Sequence, residues 1–321
     1  MRNGKFVLLV VLLTAAFFTA CSKQQYNAES DFEFVLDDKG ELWITNYVGE
    51  KKEVRIPPKI QKKPVIGIGG QAFANKELVS VTIPNNVVAI GDYAFAINKL
   101  TNIALPNSIR SIGKGVFAKN ELTSIIIPQK IATIGEDAFW ENKLTSVTIP
   151  NSVITIDAGV FAKNELTSLT IPNSITSIGK AAFWGNKLTN ITIPNSITSI
   201  SEGAFYENKL TNVTIPDSVT SIGEDVFSYN ELTNVTISNS ITTISNRAFH
   251  MNELTNVSIP DSVSTIGDKA FDLNNITRIT IGSNVNITDT ESFDNDFTDF
   301  YNANGRKAGT YTFTNGVWSK E

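Results

Sequence analysis

Residues 140–152 read WENKLTSVTIPNS, and 44 residues later residues 184–196 read WGNKLTNITIPNS. Both stretches belong to a longer series, because leucine recurs every 22 residues from Leu78 to Leu254 and phenylalanine every 22 residues from Phe73 to Phe293. A unit of this length cannot bury its apolar residues alone, but stacked units share one continuous core. The period therefore predicts a solenoid of about ten units.

Within one unit the apolar pattern predicts two short strands. Leu144, Val147 and Ile149 alternate with outward polar residues, which is the period-2 pattern of a strand. Pro150 ends this strand, since proline cannot donate to a sheet ladder. The segment from Val153 to Ile156 returns inward as a second strand. We therefore expect a mainly β solenoid with parallel short strands.

Polar columns of the repeat are interpreted as structural. Asparagine precedes each leucine by two residues from Asn98 onward, so stacked asparagines are expected to bridge backbone groups of adjacent turns. Oppositely charged residues alternate along the next column and are expected to pair between neighbouring turns: Glu121, Lys143, Glu165 and Lys187. The acidic pairs Glu136-Asp137 and Glu224-Asp225 occupy one turn column and are interpreted as solvated turns.

The repeated pattern NKLTSVTIPNSVxxIxxxAF resembles the BspA-like class of bacterial leucine-rich-repeat surface proteins over residues 54–293. The resemblance implies a leucine-rich-repeat fold and adhesion to host matrix proteins or to other cells. FEFVLDDKGELWITNYVG resembles the N-terminal cap of the family, at residues 31–53, and FYNANGRKAGTYTFTNGVW resembles its C-terminal β module, at residues 294–321. Caps have a physical reason, because uncovered end units expose apolar residues and strand edges. KIQKKP, near the first irregular unit, is expected to be a loop.

The N-terminus predicts export. Residues 1–20 combine Arg2 and Lys5 with an apolar run, which is the layout of a signal peptide. Cys21 follows in a stretch that resembles a bacterial lipobox, with Phe18 where leucine is usual, so lipidation of Cys21 is one interpretation and ordinary cleavage the other. Residues 21–30 are then a flexible tether from the lipid. A lipidated Cys21 implies membrane attachment and recognition by innate immune receptors.

Composition excludes several classes of function. Without residues 1–20 the chain has 25 basic and 32 acidic residues, which argues against nucleic acid as a partner. Cys21 is the only cysteine, so intramolecular disulfides are impossible, and His250 is the only histidine. No nucleophile, phosphate-binding or metal-binding motif is present. We expect no enzyme activity, no cofactor and no metal.

The two positions after each phenylalanine vary, although the rest of the unit repeats. Alanine occupies the first of them in three of the eight units from Phe95 to Phe249, so a large side chain is not needed there for folding. In other units the two positions hold large side chains, which are the candidate partner-binding residues: Trp140, Trp184, Tyr206, Tyr229, His250 and Met251. Aromatic enrichment is typical of binding hot spots. Two interpretations stay open, a partner-binding edge and rings that only shield one another.

Together these observations predict a monomeric, lipid-anchored, extracytoplasmic module that binds extracellular or envelope proteins. Its predicted location is the cell surface or outer membrane, in preference to a position facing the periplasm. The alternative is a structural scaffold of the periplasm or envelope.

Overall fold

The computed structural model describes residues 25–321, in which the chain winds as a stack of 22-residue turns with two columns of parallel strands. The predicted signal peptide and Cys21 lie outside these residues. The second column, formed by the isoleucine strands, contains eleven of the described strands: β5 (Lys63–Ile68), β7 (Ala89–Ile90), β8 (Ser111–Ile112), β9 (Thr133–Ile134), β10 (Thr155–Ile156), β11 (Ser177–Ile178), β12 (Ser199–Ile200), β14 (Ser221–Ile222), β16 (Thr243–Ile244), β18 (Thr265–Ile266) and β20 (Asn286–Ile287). Most neighbours pair in parallel, residue with residue one repeat apart, as Ile156 does with Ile178, and no ladder joins β9 to β10 or β14 to β16.

The first column is the strand predicted around Val147 and Ile149, and it is less regular. It forms strands near both ends of the solenoid: β3 (Glu53–Arg55), β6 (Ser80–Thr82), β13 (Asn212–Thr214), β15 (Asn234–Thr236), β17 (Asn256–Ser258) and β19 (Arg278–Ile281). Between them the column is reduced to isolated parallel bridges, such as Thr148 with Thr170. The segment KIQKKP is a hairpin, because β4 (Lys59–Ile60) pairs antiparallel with β5 across Gln61 and Lys62, which both have positive φ.

The core is one continuous stack. Phenylalanine rings of successive turns from Phe73 to Phe293 lie nearly parallel, with centroids 5.0 to 5.8 Å apart. The predicted asparagine ladder is confirmed. The Asn142 side chain accepts from the Leu122 amide at 3.0 Å and donates to the carbonyls of Phe117 and Phe139 at 2.8 and 3.1 Å. Each asparagine thus ties three backbone groups of two turns together, which satisfies buried polar groups.

The predicted charge pairing is confirmed between turns, with Lys143 at 2.8 Å from Glu121 and Lys187 at 2.9 Å from Glu165. These pairs are half exposed, so each contributes little to stability.

Caps cover both ends of the stack. At the N-terminus β1 (Phe32–Leu36) and β2 (Leu42–Tyr47) pair antiparallel, and Tyr47 stacks on Phe73 at 5.5 Å. At the C-terminus a short helix that the sequence did not predict, α1 (Phe297–Ala303), precedes the hairpin of β21 (Gly309–Thr314) and β22 (Val317–Lys320), and β21 pairs with β19. Phe297 meets Phe293 edge to face at 5.2 Å, so the aromatic stack continues into the cap.

The described part of the predicted tether, from Gln25 onward, is bonded to the cap instead of being free. The Asn27 side chain is buried, accepts from the Arg55 amide at 2.9 Å and donates to Asp31 at 2.9 Å. Asn27 therefore adds hydrogen bonds along the open edge of β3.

Candidate partner-binding rim

The rim is the corner of the solenoid formed by the two residues after each core phenylalanine. Its backbone is fixed from below, because the Asn142 amide donates to the carbonyls of Phe139 and Trp140 and the other asparagines do the same in their turns. The second rim residue takes a left-handed conformation even where it is not glycine, as in Glu141 at φ 51° and Lys163 at φ 54°. Bonds between turns hold this conformation, for example from the Lys163 amide to the Trp184 carbonyl. Side chains on the rim therefore project in register.

Four of the candidate residues form a closed row of rings. Trp184 meets Tyr206 at 6.3 Å, Tyr206 meets Tyr229 at 5.1 Å, and Tyr229 meets His250 at 5.8 Å, with ring planes inclined by 53° to 69°. Such inclined contacts are favourable aromatic geometries. We refer to Trp184, Tyr206, Tyr229 and His250 as the closed row. Mutual shielding, one of the two interpretations left open by the sequence, describes these contacts.

Trp184 is held on more than one side. The Lys163 ammonium lies 4.2 Å from its ring centroid, and the indole N–H donates to Glu207 at 3.0 Å. Lys163 also donates to Glu207 at 2.9 Å. The hydrogen bond from Lys163 holds the pKa of Glu207 below its usual value, and the bond from Trp184 acts in the same direction against the effect of burial. Trp184 is therefore the anchored end of the closed row.

His250 and Met251 differ in accessibility. His250 is 9% exposed and lies between Tyr229 and Asp272, whose carboxylate is 3.4 Å from its Nδ1. It therefore offers little surface to a partner and supports Tyr229 instead. Met251 is half-buried, whereas Tyr229 is 44% exposed.

Trp140 stands apart from the closed row. Lys119, one turn before it, lies over its ring at 4.8 Å, and no other aromatic ring contacts it within residues 25–321. The next turn carries Ala162 where a ring would stand, and this leaves a cleft of about 320 Å³ between Trp140 and Trp184. We refer to this space as the Trp140 cleft. Its lining residues are Asp137, Trp140, Ala158, Gly159, Ala162, Lys180, Ala181 and Trp184.

The acidic pairs that the sequence placed in solvated turns have different surroundings. Asp225 accepts hydrogen bonds from two nitrogen atoms of Arg247, at 3.0 Å from Nε and 2.9 Å from Nη2. Asp137 has no bonded donor among the described residues, and burial, reinforced by Glu136, raises its pKa while Lys114 acts in the opposite direction. The expectation of simple solvated turns was therefore wrong for both aspartates. Comparing the 22-residue columns, where Gly159 follows Asp137 and Arg247 follows Asp225, is the signal that would have found this difference.

Other surfaces of the described residues have fewer features that indicate a binding site. The first strand column presents serine, threonine and asparagine, interrupted by Ile126, which is 86% exposed. No group of three or more potential metal ligands occurs within residues 25–321. No helix in the same residues has the length and apolar content to cross a membrane.

The fold and its ladders define a leucine-rich-repeat solenoid, a class of protein with extended surfaces suited to binding other proteins rather than to catalysis. The model of the BspA type leucine rich repeat region matches residues 66–189 and 176–298 in six copies, and the chain belongs to this family.

Solved structures agree on the fold. A leucine rich cell surface protein from Faecalibacterium prausnitzii is 23% identical, with 88% of this chain and 97% of that chain covered and a TM-score of 0.52. A leucine-rich repeat protein from Bacteroides ovatus is 20% identical, with 80% and 88% covered and a TM-score of 0.55. A search of curated protein sequences gave no significant match.

Proposed function

We propose that this protein is a lipid-anchored, extracytoplasmic binding module that adheres through its rim to matrix proteins or to other cells. The observation that carries the proposal is the rim itself. The core columns of the repeat keep one residue type, as phenylalanine does, or exchange only valine, isoleucine, leucine and alanine, whereas the rim departs from the repeat to place Trp140, Trp184, Tyr206, Tyr229 and Met251 at the surface. Aromatic side chains held rigidly by their neighbours lose little entropy on binding.

Export and anchoring are supported by the sequence of residues 1–21, with Cys21 as the lipidated residue. The similar protein from Faecalibacterium prausnitzii is described as a cell surface protein, which agrees with a surface location. Caps at both ends of the stack leave no open core for end-to-end association, so we propose a monomer.

The rim is tested with a triple variant, Trp140→Ala, Trp184→Ala and Tyr206→Ala, in the purified protein. Binding to a panel of immobilised matrix glycoproteins should fall at least ten-fold, while the wild-type level of folding persists by circular dichroism. The matched control replaces three exposed aliphatic residues away from the rim, Val88→Ala, Ile126→Ala and Ile154→Ala, and should bind normally. Equal loss in both variants would remove the rim from the proposal.

Location is tested by treating intact cells with an external protease. Cleavage of the mature protein supports a surface adhesin. Protection until the outer envelope is opened would contradict adhesion and favour the periplasmic scaffold. Metabolic labelling with a fatty acid should mark the wild type and not Cys21→Ser, and an unlabelled wild type would exclude the lipid anchor.

A further inference from the structure

Compared with the closed row, the Trp140 cleft has one aromatic side chain fewer. Its floor is made of small residues, Ala158, Gly159, Ala162 and Ala181, which bring no hydrogen-bonding side chain into the cleft. In the core beneath, the ring of Phe161 lies 5.6 Å from Phe139 and 5.8 Å from Phe183. A flat group placed above Ala162 would take the same spacing between the two tryptophans. The spacing of the repeat therefore leaves room at Ala162 for a single ring or other planar group.

The same cleft also contains a carboxylate, Asp137, that no positively charged side chain among residues 25–321 pairs with. Lys163 is paired with Glu207 and Lys180 with Glu202, both at 2.9 Å, and Lys114 bonds Glu136. Asp137 alone among these groups has no partner. Its carboxylate lies over Gly159, since a Cβ built on Gly159 would be 2.0 Å from Asp137 Oδ1. A half-buried carboxylate without a donor is costly, and a cation that reaches it is favoured.

The protein itself shows what fills this position. Asp225 occupies the same column as Asp137, four turns later, and Arg247 occupies the column of Gly159. Arg247 closes on Asp225 with two nitrogen atoms. Ala162 and Gly159 belong to one turn. The position without a ring and the position without a cation therefore lie side by side.

We propose that the Trp140 cleft binds an arginine side chain of a partner protein, with its guanidinium stacked on Trp140 and paired with Asp137. This inference rests on the rim being the binding surface. A guanidinium is planar, always charged and able to donate two parallel hydrogen bonds to a carboxylate. It supplies both missing features with one side chain.

Alternative occupants fit less well. An aromatic side chain would fill the gap but would leave Asp137 desolvated and unpaired. A sugar ring could stack on Trp140, but its neutral hydroxyl groups would leave the charge of Asp137 without a counter-charge. A lysine brings charge without a planar face. We expect the guanidinium to stack on the face of Trp140 that Lys119 does not cover, because Lys163 already lies over the ring of Trp184.

The proposal is tested with the purified protein and four short capped peptides of sequence Gly-Ser-X-Ser-Gly, in which X is arginine, lysine, citrulline or phenylalanine. Saturation-transfer NMR detects the millimolar binding expected of one side chain. Arginine should bind at least ten-fold better than citrulline, which has the same shape without the charge, and better than lysine or phenylalanine. Equal binding of citrulline, or preference for phenylalanine, would overturn the assignment. Tighter binding of free agmatine than of the arginine peptide would overturn the assignment to a protein partner.

Two variants locate the site. Asp137→Asn should weaken arginine binding at least ten-fold with little change in folding. Gly159→Arg should abolish binding by supplying the arginine from within, as Arg247 does for Asp225, and the left-handed φ of Arg247 shows that this column accepts arginine. The control Gly203→Arg lies in the same column without an acid one turn before it, and should keep wild-type binding. Unchanged binding in Asp137→Asn would contradict the proposal even if Gly159→Arg failed to fold.

The outcomes separate this inference from the proposed function. If the triple rim variant loses matrix binding but Asp137→Asn does not, the rim is the adhesive surface and the arginine site is wrong. If the arginine peptide binds through Asp137 but the rim variant keeps matrix binding, the arginine site stands and the adhesive rim is wrong.

Discussion

The closed row and the Trp140 cleft are built on one frame and differ by a few side chains. Both lie above stacked phenylalanines with the same spacing and above the same asparagine ladder. In the closed row each ring meets a ring, and in the neighbouring column Asp225 meets Arg247. At the cleft, alanine (Ala162) stands where the closed row has a ring, and glycine (Gly159) stands in the column of Arg247. The difference teaches that the repeat fixes where a side chain stands, while the variable positions decide whether its contacts are internal or left for a partner.

The largest expected effect comes from breaking the shared frame. Phe161→Ala, beneath the cleft, and Phe249→Ala, beneath His250, should each lower the free energy of unfolding by about 3 to 5 kcal/mol, because each ring is fully buried between two others. Urea unfolding followed by circular dichroism measures the loss. Similar values at the two sites are expected, since the frame does not distinguish them. A loss below about 1 kcal/mol at either site would show that the ring stack is not the main source of stability there.

The next effect separates the two segments of the rim. Tyr206→Ala removes two ring contacts and should destabilise the protein by about 1 to 2 kcal/mol, whereas Trp140→Ala removes none and should cost less than about 0.5 kcal/mol. The same urea experiment compares the two variants directly. Equal losses would mean that Trp140 is as much a packing residue as Tyr206.

Removal of the internal arginine tests the charge part of the comparison. Arg247→Ala leaves Asp225 without its hydrogen bonds from Arg247 and should cost about 1 kcal/mol, a modest value because the pair is partly exposed. The loss should shrink in 1 M salt, where exposed charges are screened. Arg247→Lys, the matched control, should recover only part of the lost stability, because lysine cannot form a bidentate pair with a carboxylate. Full recovery by lysine would reduce the Asp225 contact to simple charge.

Residues that recur in every turn are predictable from the sequence for a physical reason. Phenylalanine, leucine and asparagine must match their neighbours to stack, so their period reveals both the solenoid and the ladder. Rim aromatics could be found as departures from that period. Whether they contact one another could not, because Trp184 reaches Tyr206 while Trp140 reaches no ring, and both are tryptophans at the same position of the repeat.

Other features depend on contacts that no period records. The accessibility of His250 is set by Tyr229 and Asp272 from neighbouring turns, and the helix α1 depends on Phe297 closing the aromatic stack. The state of Asp137 depends on a glycine 22 residues later.

The smallest expected effect concerns Asp137 and changes with pH. Burial and Glu136 raise the pKa of this carboxyl in the folded protein, so ionised Asp137 opposes folding above that pKa and the opposition is lost as pH falls through it. Asp137→Asn should therefore be slightly more stable than the wild type at pH 7, and the difference should vanish toward pH 3. Thermal unfolding between these pH values measures it, with Asp225→Asn as the control, which should instead destabilise at pH 7 because Arg247 loses its partner. A residue that weakens the fold at neutral pH but strengthens binding of a cation is what a site kept open for a partner requires, and a destabilised Asp137→Asn would place Asp137 among the structural residues.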